Sequence, residues 1–231
     1  MNPDRLGDLT ADITTCRQCP RLVDWREEVA RTRVARHRDS VYWGRPVPGF
    51  GDPAARLLLV GLAPAAHGAN RTGRVFTGDN PGGSGELLFE ALHATGYSPW
   101  PRSRDPADGL RLRDAYIAAV NRCAPPANKP TTTERDRCLP FLSRELRLLE
   151  SVVVLLALGG YAWSALLHVL AGMGHPVAPA PRFGHGREAR VGPYQLLGCY
   201  HPSQQNTFTG RLTMGMVEDV LRRAREITNS A

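Results

Sequence analysis

The residues of this chain that can do chemistry lie where short apolar runs end: an aromatic and a carboxylate in one loop, an amide in a second, an imidazole in a third. The first loop is "GLAPAAHGANRTGRVFTGD", 61–79, which follows "ARLLLV". It is glycine-rich and carries two arginines, Arg71 and Arg74, but lacks the lysine and hydroxyl with which a P-loop holds a triphosphate. Gly61 closes the apolar run and Pro64 removes one donor, so the amides of Leu62, Ala63 and Ala65 are expected to face a concavity. Phe76 and Asp79 add a ring and a carboxylate to the same loop. Amides, ring and carboxylate together suit a heterocycle. Asn128 in "PPANKPT" offers a donor and an acceptor held between prolines, and is equally at home as a turn residue. His201 opens "HPSQQN", where an imidazole can donate to a carbonyl oxygen.

A second set is made of cysteines. "CRQCP" places Cys16 and Cys19 two residues apart, while Cys123 and Cys138 lie far downstream. Four thiolates can ligate zinc or an iron–sulfur cluster. Zinc ribbons use two CxxC pairs; one pair that recruits two separated cysteines is more common for a [4Fe–4S] cluster. Cys199 lies inside an apolar run and reads as a small buried hydrophobe.

The elements that position these residues follow from the apolar pattern. Runs at 56–62, 115–120, 151–158 and 194–200 are continuous rather than alternating, as expected of strands buried on both faces of a parallel sheet. Between them, "SGELLFEALHATG", "TTTERDRCLPFLSRELRLLE", "GYAWSALLHVLAGMG" and "RLTMGMVEDVLRRAREI" read as helices. Thr131 with Glu134 forms a candidate capping box, and Pro140 is expected to kink or split the second helix. The alternation predicts an α/β fold, three layers αβα, around a mostly parallel four-stranded sheet, as one domain over 1–231. Ligands in such sheets bind at the carboxyl ends of the strands, where the residues above converge.

Composition bounds the partners. The 231 residues are 42% hydrophobic, enough for one sizeable core, and the formal charge is +7, almost all from arginine. Arginine pairs with phosphate and stacks on flat groups, which makes nucleic acid a fair partner. No apolar run is long enough to span a bilayer, and the first residues lack a signal-peptide pattern, so a cytoplasmic protein is expected.

"CRQCPRLVDWREEVAR", "RPVPGFGDPAARLLLVGLAPAAHGANRTGRVFTGD", "NRCAPPANKPT" and "YHPSQQNTFTGRLT" together resemble the family 5 (type B) uracil-DNA glycosylases, from Cys16 to about Arg223. The resemblance implies a monofunctional N-glycosyl hydrolase of base-excision repair, associated with the nucleoid and monomeric. Its partner would be double-stranded DNA containing uracil or another deaminated base such as hypoxanthine. It implies a [4Fe–4S] cluster on Cys16, Cys19, Cys123 and Cys138. Phe76 would stack on the flipped base, Asn128 would bond its edge, His201 would bond a pyrimidine oxygen, and Asp79 would be the catalytic carboxylate. "GLAPAA" has no polar side chain where other glycosylase families carry one. In the related family 4 an asparagine stands four residues before the cysteine of "C-x-P-P"; here that position is Ala119, which passes the base-reading duty to Asn128. Arg71, Arg74 and Arg211 are candidate phosphate contacts, and Gln204, Gln205 and Asn206 lie in the segment expected to enter the minor groove, although an apolar wedge is the usual occupant there. A non-catalytic iron–sulfur DNA-binding module is the competing reading.

Overall fold

The computed structural model describes residues 3–77 and 83–230. Six strands form one sheet: β1 (Phe50–Gly51), β2 (Leu57–Gly61), β3 (Ala115–Ala119), β4 (Val154–Leu158), β5 (Glu188–Val191) and β6 (Tyr194–Cys199). Their order is β1-β3-β2-β4-β6-β5. The inner four are parallel and the two edges antiparallel. The four expected strands are therefore the inner four, and the expected strand count is corrected to six. β1 has only two residues and β5 alternates exposed with buried positions, so neither carries the continuous apolar run that marks a doubly covered strand.

Side chains alternate across the sheet and feed two cores. Leu57, Leu59, Ile117, Val154 and Leu156 face one side, where they pack with Leu88 and Leu92 and with Val217 and Leu221. Leu58, Val60, Tyr116, Leu155 and Ala157 face the other, against Leu142 and Leu146 and against Trp163 and Leu166. The helices in chain order are α1 (Pro3–Thr15), α2 (Pro20–Thr32), α3 (Ala69–Thr72), α4 (Ser84–Ala94), α5 (Thr132–Leu148), α6 (Gly160–Gly172), α7 (Gln204–Phe208) and α8 (Met214–Ser230). Thus α4 and α8 cover one face and α5 and α6 the other, which is the three-layer αβα arrangement. α1 packs on the outside of α5 through Leu9, Ile13 and Phe141.

α5 runs through Pro140 as one element rather than being split there. An interior proline removes one ladder bond at a cost of about 3 kcal/mol. Buried Leu139, Phe141, Leu142 and Leu146 hold the helix on both sides of it, and the Thr131–Glu134 capping box forms as expected and fixes its start. Glu134 also receives two N–H bonds from Arg21, which ties α2 to the first turn of α5.

The chain leaves β2 for β3 on one side, then crosses to β4 on the other. Such a reversal opens a crevice beyond the carboxyl ends of the strands. Gly61, Gly159 and His201 all lie at or just past those ends.

Candidate active site

Glycine makes room at the floor. A Cβ on Gly61 would fall 2.7 Å from the Phe76 ring, so the ring lies directly against the end of β2. A Cβ on Gly85, in the first turn of α4, would fall 2.0 Å from the Phe76 carbonyl oxygen. Phe76 itself has φ 56°, a left-handed conformation that a bulky residue keeps only when its surroundings impose it. The two glycines are that imposition.

His201 follows β6 and its ring centroid lies 6.1 Å from that of Phe76, the planes inclined by 35°. Gly159, at φ 103°, leads from β4 into α6, and a Cβ there would lie 3.4 Å from the His201 Cβ. The His201 carbonyl is held by the backbone N–H of Ser203 at 2.7 Å and by Asn206 Nδ2 at 2.8 Å. Burial without a charged partner pushes the imidazole pKa down to about 4. The ring is therefore neutral at physiological pH and presents one N–H donor.

The loop after β2 is pinned from behind. The Ala65 carbonyl accepts from the amides of Gly68 and Asn70. The amides of Ala63 and Ala65 donate to no backbone carbonyl among the described residues, which leaves them available as the expected floor. Asp79 lies outside the described residues.

Asn121 is a residue that the sequence reading passed over. It is fully buried just beyond β3, and its amide donates to the Leu62 carbonyl at 3.0 Å, which places it beside the loop. Its Oδ1 accepts from the Tyr161 hydroxyl at 2.6 Å, and its Nδ2 is buried with no partner. An orphaned buried N–H costs about 1–3 kcal/mol and asks for an acceptor that the chain does not supply. Asn128 is exposed on a 3-10 turn, with φ 57° after Ala127 at φ 52°. Both are asparagines at the end of β3; only one is aimed into a closed space. The available signal was an asparagine that ends an apolar run, "AAVN", at the carboxyl end of a strand.

The proposed DNA contacts separate in the same way. Arg74 is 5% exposed, and its guanidinium bonds Asp108 at 2.7 Å and Ser103 at 3.1 Å while lying over the Phe50 ring. That correction is decisive, because no phosphate can reach it. Arg71 is half-buried and donates to the His67 carbonyl. Arg211 is exposed and lies 4.7 Å over the Tyr200 ring. Gln204 and Gln205 are exposed on α7, whereas the Asn206 side chain is used on His201. The apolar residue missing from the expected wedge segment is Phe208, 75% exposed at the end of α7.

Behind the pocket, Cys16, Cys19, Cys123 and Cys138 line one cavity with Leu22, Val23 and Phe141. The loop between α1 and α2 supplies the first pair, the segment after β3 supplies Cys123 and α5 supplies Cys138. Arg26, 2% exposed, donates to Cys123 Sγ at 2.9 Å, and the Arg122 amide donates to Cys138 Sγ at 3.2 Å. Burial pushes the free thiols up, Cys123 to about 11 and Cys138 to about 12. Among the described residues no three His, Cys, Asp or Glu side chains meet closely enough to hold a single metal ion. Cys199 is fully buried in β6, in keeping with its reading as a small hydrophobe.

Residues 48–225 match the model of the uracil DNA glycosylase superfamily. The chain belongs to that superfamily. It is 53% identical to a type-5 uracil-DNA glycosylase of Mycobacterium leprae over 96% of this chain and 95% of that one, and 53% identical to the type-5 enzyme of Mycobacterium tuberculosis over 95% and 81%. The type-5 enzyme of Thermus thermophilus is 51% identical over 93% and 94%. Its place is thus in the type-5 uracil-DNA glycosylase family, as the four sequence motifs imply. No helix among the described residues is long and apolar enough to cross a membrane.

Proposed function

We propose that this chain is a uracil-DNA glycosylase that hydrolyses the N-glycosidic bond of uracil in DNA and leaves an abasic site. The observation that carries the reading at the level of atoms is the buried Nδ2 of Asn121, without a partner among the described residues and next to the loop after β2, at the same strand ends where Phe76 and His201 lie ring by ring. Together they offer hydrogen-bond donors and a ring face.

The target nucleotide must leave the duplex, which costs a few kcal/mol and less for a mispaired base. Phe208 on α7 fits the role of filling the gap, flanked by Gln204 and Gln205, and Arg211 fits a phosphate contact. The flipped base stacks on Phe76, and Asn121 Nδ2 donates to its carbonyl. As the bond to the sugar stretches, negative charge gathers on the leaving base. The neutral His201 N–H and the amides of Ala63 and Ala65 stabilise that charge, and being preorganised they do so without reorienting. Positive charge on the sugar, or the attacking water, falls to Asp79, by resemblance to the family. Hypoxanthine presents a carbonyl beside a ring N–H, as uracil does, and is read as a second substrate.

The four cysteines fit a [4Fe–4S] cluster. The thiolate donors all face one cavity, and a buried arginine beside them suits a group of net negative charge. Bound there, the group would cross-link the loop before α2, the segment after β3 and α5. We assign it no part in the hydrolysis. A monomer acting on double-stranded DNA at the nucleoid completes the reading.

The test uses a duplex with a single uracil, incubated with the protein without added cofactors and then treated with alkali. Strand scission at the uracil is the expected result; an intact strand overturns the assignment and returns the chain to a non-catalytic DNA-binding module. Asp79→Asn is expected to abolish single-turnover excision while DNA binding persists, and unchanged excision would remove the carboxylate from the chemistry.

A further inference from the structure

An asparagine amide can read a base edge in two senses, because turning it by half a revolution exchanges its donor and its acceptor. Deaminated bases and their parents demand opposite senses. Uracil and hypoxanthine present a carbonyl oxygen beside a ring N–H. Cytosine and adenine present an amino group beside an unprotonated ring nitrogen. An amide free to turn would accept both.

In this chain the amide is not free. Tyr161, in the first turn of α6, directs its hydroxyl at Asn121 Oδ1 from 2.6 Å. The amide oxygen faces the phenol and accepts from it, and the Nδ2 is turned the other way. The Tyr161 ring is packed against the core formed by α5, α6 and the sheet, which fixes where the hydroxyl can be. Burial also pushes the phenol pKa up to about 12, so the group remains a donor at any pH at which duplex DNA is handled. Asn121 itself is held by its backbone bond to Leu62 and has no side-chain partner other than Tyr161 among the described residues.

We propose that Tyr161 is a positioning residue that sets base specificity: by donating to Oδ1 it fixes which end of the Asn121 amide is the acceptor and which the donor, so that the pocket reads the carbonyl and ring N–H of a deaminated base and rejects the amino group of its parent. This rests on the reading of Asn121 as the base-facing amide of a glycosylase. One lone pair of Oδ1 accepts from the phenol and the other is left for the ring N–H of the base. Turning the amide to suit cytosine would bring an N–H to the phenol and would oblige the phenol to become an acceptor. A selection step is thereby built from a residue that never touches the base.

Tyr161→Phe keeps the ring and removes the hydroxyl. Binding is measured to duplexes in which 2′-fluorinated deoxyuridine or deoxycytidine stands opposite an abasic site, the fluorine slowing glycosidic cleavage and the missing partner removing the pairing difference. The natural chain is expected to prefer the uracil duplex. In Tyr161→Phe the uracil-to-cytosine affinity ratio is expected to narrow about five- to tenfold, the worth of one hydrogen bond, with affinity for undamaged duplex unchanged and the thermal midpoint lowered modestly by the unpartnered Oδ1. An unchanged ratio overturns the proposal, as does an equal loss of affinity for both bases, which would mark a merely structural tyrosine. If the natural chain neither cleaves ordinary uracil DNA nor prefers the uracil analogue, it is the glycosylase reading that fails; if it does both and only the ratio is unmoved, Tyr161 alone is reassigned.

Discussion

At the strand ends the Asn121 Nδ2 and the amides of Ala63 and Ala65 have no acceptor among the described residues, and His201 is held neutral by burial. About the four cysteines the imbalance is of charge: a buried Arg26 faces thiols that burial keeps protonated. The first region wants a neutral polar ligand that can come and go. The second wants a resident anion. Asn121, Arg122 and Cys123 are consecutive and serve both, and Arg122 between them is anchored by a buried ion pair with Glu145. One short segment after β3 therefore holds both the proposed base reader and one of the proposed cluster ligands.

The comparison is broken most directly at the pocket. His201→Ala removes one preorganised donor and is expected to slow single-turnover uracil excision by about 10²- to 10³-fold with little change in DNA affinity; a rate within a few-fold of the natural chain would remove His201 from the reaction. Phe76→Ala takes away a stacking face worth about 1–3 kcal/mol per base. Affinity for uracil duplex should drop accordingly, from several-fold to about a hundredfold, while affinity for undamaged duplex holds. Equal losses on both duplexes would move Phe76 from the base to the backbone.

At the cysteines the expected loss is of stability. Cys123→Ser is expected to lower iron content and the thermal midpoint together, and prolonged chelation of the natural chain should do the same; full stability without iron would show that the cavity closes on free thiols.

The pH dependence separates the two regions by sign. An unfolded histidine binds its proton near pH 6.5, whereas His201 does so at about 4. Between those values the unfolded chain holds more protons, so this contribution to stability is complete above about pH 6.5 and declines as the pH falls toward 4. Excision should persist below pH 6 and fail only as the imidazole charges near pH 4. A limb centred on 6.5 in a single-turnover profile would mean that His201 is solvated.

The smallest effects concern the arginines. Arg211→Ala should weaken binding to all duplexes alike and reduce the salt slope by about one unit. Arg74→Ala should leave that slope unchanged and lower the thermal midpoint, because its partner Asp108 would be left without its ion pair. The opposite pattern would reverse the placement of these two residues.

Much of the fold was legible in the chain. The inner strands were visible because a strand covered on both faces must be apolar throughout, and helix starts such as Thr131 were visible because capping is local. The edge strands β1 and β5 were not, since an edge is half solvated and short, and its pairing is decided by its neighbour. Of the kink or split expected at Pro140 the split does not occur, because packing of α5 across two surfaces offsets the local cost.

The candidate site divides in the same way. Residue type and loop position drew attention to Phe76, His201 and the four cysteines, and the structure brings the first two ring by ring and the cysteines to one cavity. Choosing Asn121 over Asn128, or Arg211 over Arg74, required knowing which amide is enclosed and which guanidinium is already bonded. Burial and partnership are properties of distant residues brought together. The chain's order of apolar and polar residues thus determined the layers, the strand ends and the kinds of group found there, whereas which of two like groups is left unsatisfied was decided only when α5, α6 and the loop after β2 closed around them.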